Sequence, residues 1–203
     1  MSFRLAHSTR FTYALVSMNS FRLGVLLIFF LMLSAMTNAQ TLDFTNAQTT
    51  AQMWVVNDGV MGGVSESRFR HDAEGVMIEG IVSLENNGGF ASVRSAAAFG
   101  VGTVALELKI KGDGKRYKFI LRTDAAPRSP MYQADFVAAE GWHTYRFLPS
   151  DFRASFRGRA VDAPDLVFAD AKELGILIAD KQAGSFHLQL KTIRALTAGN
   201  SSR

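Results

Sequence analysis

The chain has 203 residues, 48% hydrophobic and 20% charged, an ordinary globular balance at a length that suits one domain of about 100 to 200 residues. Cysteine is absent, which excludes thiolate nucleophiles, Cys-ligated zinc and disulfide staples and leaves the core to supply stability. The formal charge of +4 owes three positives to Arg4, Arg10 and Arg22 in the first 39 residues, which hold no acid. The remainder has 19 Lys and Arg against 18 Asp and Glu, so composition makes no case for nucleic acid.

Arg22 precedes an apolar run from Leu23 to Leu33 and a small-residue exit from Ser34 to Ala39, the layout of a secretory signal peptide. Cleavage after Ala39 is expected to leave Gln40 at the mature N-terminus; Met18 to Ala39 alone is a complete leader, which makes Met18 a candidate true start. The unbroken apolar run falls short of the ~20 residues that span a bilayer. The expectation is a periplasmic or secreted protein with no stable membrane span after cleavage. It divides into a leader over 1–39, a binding domain over 40–196 and a flexible tail over 197–203.

From Thr41 onward, short apolar runs rich in β-branched and aromatic residues are separated by Gly, Asn and Asp, the pattern of strands joined by turns. The predicted strands are Thr41 to Phe44, Met53 to Val56, Ser65 to His71, Val76 to Ser83, Phe90 to Ser95, Val104 to Lys111 and Arg116 to Arg122. Asp72 to Gly75 reads as a hairpin turn, and Gly112-Asp113-Gly114 as a type I′ turn. Met131 to Val137 and Trp142 to Leu148 follow, then a long loop over Pro149 to Asp170, then strands over Glu173 to Ala179 and Ser185 to Ala195. Only Phe99 to Val101 and Ala169 to Leu174 offer a turn of helix. Strand after strand without intervening helices predicts an all-β fold, an antiparallel β-sandwich of jelly-roll type.

Two Gly-rich loops carry the chemistry. Asn57-Asp58-Gly59-Val60-Met61-Gly62-Gly63-Val64-Ser65 follows a Trp-containing strand, and Glu85-Asn86-Asn87-Gly88-Gly89-Phe90 precedes the strand bearing Arg94. Glycines let a ligand or a second backbone approach closely, so Asn57, Asp58, Glu85, Asn86, Asn87 and Arg94 are candidate binding residues on one patch. The alternative for Asn57 and Asp58 is an Asx turn satisfying its own backbone, and for Asn86 to Gly89 a plain hairpin turn. Asp58 with Glu85 is also a candidate acid and base pair of the kind glycosidases use. Trp54 has two readings, a core side chain, which its apolar strand favours, or a sugar-stacking platform; Arg146, Arg153, Arg157 and Arg159 with Phe152 and Phe156 read as a basic cluster around the long loop.

Together these residues resemble the complex I intermediate-associated protein 30 family. Asn57 to Ser65 match its N-D-G-V-M-G-G-x-S block and Asn87 to Arg94 its N-x-G-G-F-x-S-x-R block, while Phe156-Arg157-Gly158 and Ile178 to Phe186, including Asp180, resemble its third and fourth. The resemblance adds Arg157 and Asp180 to the candidate binding residues. It implies a galactose-binding-like jelly roll, related in shape to carbohydrate-binding modules, and a non-catalytic role in assembling respiratory complex I. The leader points outward, whereas the mitochondrial proteins work in the matrix, which weighs against transferring the complex I role while leaving the fold.

Catalytic signatures are missing or misplaced: Gly100 to Ala105 fits G-x-G-x-x-A but leads into a strand, and His71, His143 and His187 lack paired ligand spacing. The reading is therefore a non-catalytic assembly or binding protein for a protein partner or a glycan, with no cofactor, no catalytic residue, no metal and no nucleic acid. The alternative is a glycan-acting protein that uses loop carboxylates.

Overall fold

The computed structural model describes residues 40–124, 126 and 129–198; the expected leader and residues 199–203 lie outside the described residues. Thirteen strands are found there: β1 (Thr41–Asp43), β2 (Met53–Val55), β3 (Glu66–Asp72), β4 (Gly75–Val82), β5 (Ala91–Ala96), β6 (Thr103–Lys111), β7 (Arg116–Arg122), β8 (Met131–Val137), β9 (His143–Phe147), β10 (Arg153–Phe156), β11 (Arg159–Ala160), β12 (Glu173–Ile178) and β13 (Gly184–Thr197). One short helix, α1 (Ala47–Thr50), starts on Asn46, whose side chain accepts the Gln48 N–H.

The strands form two antiparallel sheets. The six-stranded sheet runs β3-β4-β13-β6-β9, with β1 also on β13, and the seven-stranded sheet runs β11-β10-β8-β7-β12-β5-β2. Alternation along the strands explains the core between them. Leu106, Leu108 and Ile110 of β6 and Phe147 of β9 face inward from one sheet, and Tyr117, Phe119 and Leu121 of β7 with Leu174, Ile176 and Ile178 of β12 from the other. In β13 the inward set is Phe186, Leu188 and Leu190, then Ile193 and Ala195. The parity changes because the pairing with β6 slips between Leu190 and Thr192, a bulge that inserts Lys191 and keeps both halves of the strand on the core.

Three expectations are corrected. The stretch Pro149 to Asp170 is not an open loop: it carries β10 and β11, and Phe152, Leu166 and Phe168 are buried in the core. The Phe152 ring lies 5.7 Å from Phe119, 6.0 Å from Phe147 and 5.8 Å from Phe168, so the segment is tied down by aromatic packing. Gly112-Asp113-Gly114 does not close a hairpin, since β6 and β7 belong to different sheets. There the Gly112 and Gly114 N–H groups donate to the Ala139 and Ala138 carbonyls, and a Cβ on Gly112 would sit 2.4 Å from that of Ala138. Finally, Phe99 to Val101 is not helical and the turn near Ala169 is a 3-10 turn at Phe168–Asp170, while β13 runs on through Thr197.

Candidate functional site

The two Gly-rich loops lie side by side, and Asp58 is the reason. Past β2 the chain still pairs with β5: Val56 and Ser92 exchange N–H to carbonyl bonds of 2.9 and 3.1 Å. Asp58 then turns inward and is fully buried. Its carboxylate accepts from the Ser65 N–H at 2.9 Å, the Ser65 hydroxyl at 2.5 Å, the Gly89 N–H at 2.6 Å and the Phe90 N–H at 3.2 Å. A Cβ on Gly63 would stand 2.4 Å from the Asp58 Cγ, and one on Gly88 would stand 2.6 Å from Oδ2, so glycine is required at both positions to admit the carboxylate. Ser65 passes the link on by accepting the Ser83 N–H at 2.9 Å.

Asn57 makes a parallel link. Its Oδ1 accepts from the Ser67 hydroxyl at 2.7 Å and the Ser92 N–H at 3.3 Å, joining β3 of one sheet to β5 of the other. Burial pushes the Asp58 carboxyl up, and the bonds from Ser65, Gly89 and Phe90 outweigh that and hold it below the ordinary carboxylate range. Asp58 is thus a buried, ionised clasp, unavailable to a ligand or as an acid, and the reading of it as a binding or catalytic carboxylate is corrected. Nor do Asn57 and Asp58 form local Asx turns, because their partners come from distant segments.

Glu85, Asn86 and Asn87 form an exposed 3-10 turn in which Asn86 (φ 53°) and Asn87 (φ 60°) are left-handed, a conformation asparagine tolerates. Arg157 sits in the two-residue turn between β10 and β11, also left-handed at φ 49°, with its guanidinium 5.4 Å over the Phe156 ring. Strand register places that turn at the opposite end of the seven-stranded sheet from the Gly-rich loops. The expected basic cluster is divided, because Arg146 pairs in register with Glu107 on the six-stranded sheet and Arg153 lies on the seven-stranded one.

Arg94 and Asp180 belong to a surface that alternation places on the outer face of the seven-stranded sheet. Register aligns Arg153, Gln133, Ile120, Gly175, Arg94 and Trp54 in one row across β10, β8, β7, β12, β5 and β2. At ~4.8 Å per strand the row is about 24 Å long. The expectation of a core Trp54 is corrected: it is half-exposed on this face, beside Arg94. Gly175 leaves room for the Arg94 stem, which a Cβ there would meet at 3.0 Å.

Two ion clusters flank the row. On one side Glu173 receives Arg94 at 2.8 Å and Arg122 at 3.8 Å. On the other, Lys118 contacts Asp135 at 2.6 Å and Asp180 at 2.9 Å, the carboxylate of Asp180 being delivered by a left-handed residue at φ 60°. Burial pushes the Lys118 ammonium down, but the two carboxylates more than restore it and keep it cationic. Glu173 and Lys118 escape a reading by motif. Their signal is the period-two placement of Glu173, Gly175 and Leu177 and of Lys118, Ile120 and Arg122. Among the described residues no three His, Asp or Glu side chains gather as a cation site, and no helix is long and apolar enough to cross a membrane.

Comparison with known proteins places this geometry. The family 11 carbohydrate-binding module of the cellulosomal cellulase Lic26A-Cel5E of Clostridium thermocellum superposes with a TM-score of 0.57 at 12% identity, over 79% of this chain and 96% of that one. The same family's module from Clostridium thermocellum in complex with a β-1,3-1,4-mixed-linked tetrasaccharide gives 0.48 at 11% identity, over 71% and 88%. The first likeness shows the fold, a galactose-binding-like β-sandwich, and no more. A search of curated proteins finds no match. The model of the Complex I intermediate-associated protein 30 family matches residues 42–190, taking in the clasp, the outer-face strands and the first half of β13, and the chain belongs to that family.

Proposed function

We propose that the protein is an exported, non-catalytic binding protein, an assembly or scaffold factor that holds its partner on the outer face of the seven-stranded sheet. The observation that carries this reading is the row from Arg153 to Trp54 between two fixed ion clusters. Such a surface recognises by complementarity of shape and charge, with its groups held before the partner arrives. Its acids are committed: Glu173 to two arginines, Asp135 and Asp180 to Lys118, and Asp58 to backbone donors. A general acid must present a free carboxyl to its substrate, and each of these is already engaged.

A glycan is the second reading, favoured by the half-exposed indole of Trp54 beside the planar guanidinium of Arg94, a pairing suited to stacking and hydrogen bonding with sugar rings. The fold shared with a carbohydrate-binding module supports it. A glycan array and capture from envelope fractions, run with wild type, Trp54→Ala and Arg153→Glu, separate the two. Capture of the true partner should fall about tenfold in each variant, with no hydrolysis by wild type. Turnover that vanishes on replacing Glu85 or Glu173 would defeat both readings. Export is checked by N-terminal sequencing of the mature protein, expected to begin at Gln40 or within a few residues of it.

A further inference from the structure

The clasp places apolar side chains in solvent. Val60 is 75% exposed, Met61 58%, Val64 48% and Leu84 44%, all on the two loops that Asp58 joins. Val64 and Leu84 flank the Ser65 to Ser83 hydrogen bond, and one step further Glu66 stands opposite Ile81, itself 56% exposed. The exposed apolar side chains therefore run from Met61 to Ile81.

Exposing this many aliphatic side chains on loops pinned by at least six hydrogen bonds to Asn57, Asp58 and Ser65 is unfavourable unless something covers them. Charge says what. Beside the buried Asp58, residues 57–66 and 83–90 present Glu66 and Glu85 to solvent and contain no Lys, Arg or His, within a domain whose charges otherwise nearly balance. Glu66 and Glu85 are exposed and enter no ion pair among the described residues. An acidic rim around an apolar patch complements a basic, apolar partner.

We infer that this apolar knob, edged by Glu66 and Glu85, forms a docking surface for a short segment of a partner protein that presents an aliphatic or aromatic side chain next to Lys or Arg. The inference rests on the binding-protein reading above but uses a different surface from the Trp54 row. Pinning the loops in advance means that little conformational freedom is lost on docking.

The test is selection from a phage-displayed random peptide library on the mature wild-type protein, counter-selected against Met61→Ser combined with Leu84→Ser. Both side chains are exposed, so the variant should unfold at the wild-type midpoint. Expected are wild-type-selective peptides that combine apolar and basic residues, weakened about tenfold by Glu66→Lys with Glu85→Lys and unchanged by Trp54→Ala. The inference is overturned if no peptide discriminates wild type from the variant, or if the selective peptides are acidic or neutral. It is equally overturned if wild type self-associates in sedimentation and Met61→Ser restores the monomer, because the occupant is then a second copy. Loss of glycan or envelope capture in Trp54→Ala with peptide binding intact isolates the two surfaces from one another.

Discussion

Replacing Asp58 by Asn is expected to lower the unfolding free energy by about 2 to 4 kcal/mol, measured by urea denaturation. The carboxylate accepts four donors within a fully buried site. An amide keeps one acceptor oxygen and turns an NH2 group toward the remaining N–H and O–H donors, which leaves buried polar groups unpaired at about 1 to 3 kcal/mol each. A loss below about 0.5 kcal/mol, the scale of an indifferent surface change, would show that the loops do not depend on this residue.

The same substitution should flatten the acid limb of stability. Hydrogen bonding holds the Asp58 carboxyl below its ordinary range in the folded chain, against the upward push of burial. A lowered folded value means that its contribution is fully present above the unfolded carboxylate pKa of about 3.9 and is lost as pH falls through the folded value. Wild type should therefore lose more stability on acidification below about pH 4 than Asp58→Asn does. Asp43, held low by the Thr45 hydroxyl and N–H, adds a slope of the same sign in both proteins, so the difference between the two curves is the quantity to read.

Phe152→Ala is expected to cost about 3 to 5 kcal/mol, comparable with removal of any central core aromatic. The ring is 8% exposed and packs on Phe119, Phe147 and Phe168, so truncation empties a site walled by three large side chains that cannot all collapse inward. Phe156→Ala, at the half-buried end of β10, should cost clearly less. Equal and small effects at the two positions would return Pro149 to Asp170 to the status of a mobile loop.

That segment marks where sequence reasoning stops. The strands with regular alternation, such as Leu106, Leu108 and Ile110 or Tyr145 and Phe147, are legible because a half-buried strand must repeat every second residue. Phe152 and Phe168 break no such rule. They are separated by Gly158 and Pro164, and a lone aromatic among turn residues reads the same whether it is anchored or solvated. Sheet membership is equally hidden: Asp113-Gly114 suits a tight turn locally, and only the contact with Ala138 shows that it carries the chain from one sheet to the other.

The candidate site was legible in its parts and opaque in its direction. The glycines around Asn57 and Asp58 signal close approach, yet a Gly-rich loop with an acid describes a ligand cradle and an internal clasp alike. Which of them forms depends on whether donors from a remote segment reach the carboxylate first. Gly89 and Phe90 do. Arg94 and Asp180 carry the opposite lesson, since their ion pairs come from strands whose register no local pattern reveals.

Strand β13 pairs with β1, β4 and β6, every one of which precedes it in the chain. The six-stranded sheet therefore has no centre until residues 184–197 have emerged, and half the sandwich has nothing to close against. Long-range closure of this kind makes folding slow and late, and leaves the earlier strands as a loose thread meanwhile. Under the export proposed above, that delay would keep the chain threadable until its last strand arrives.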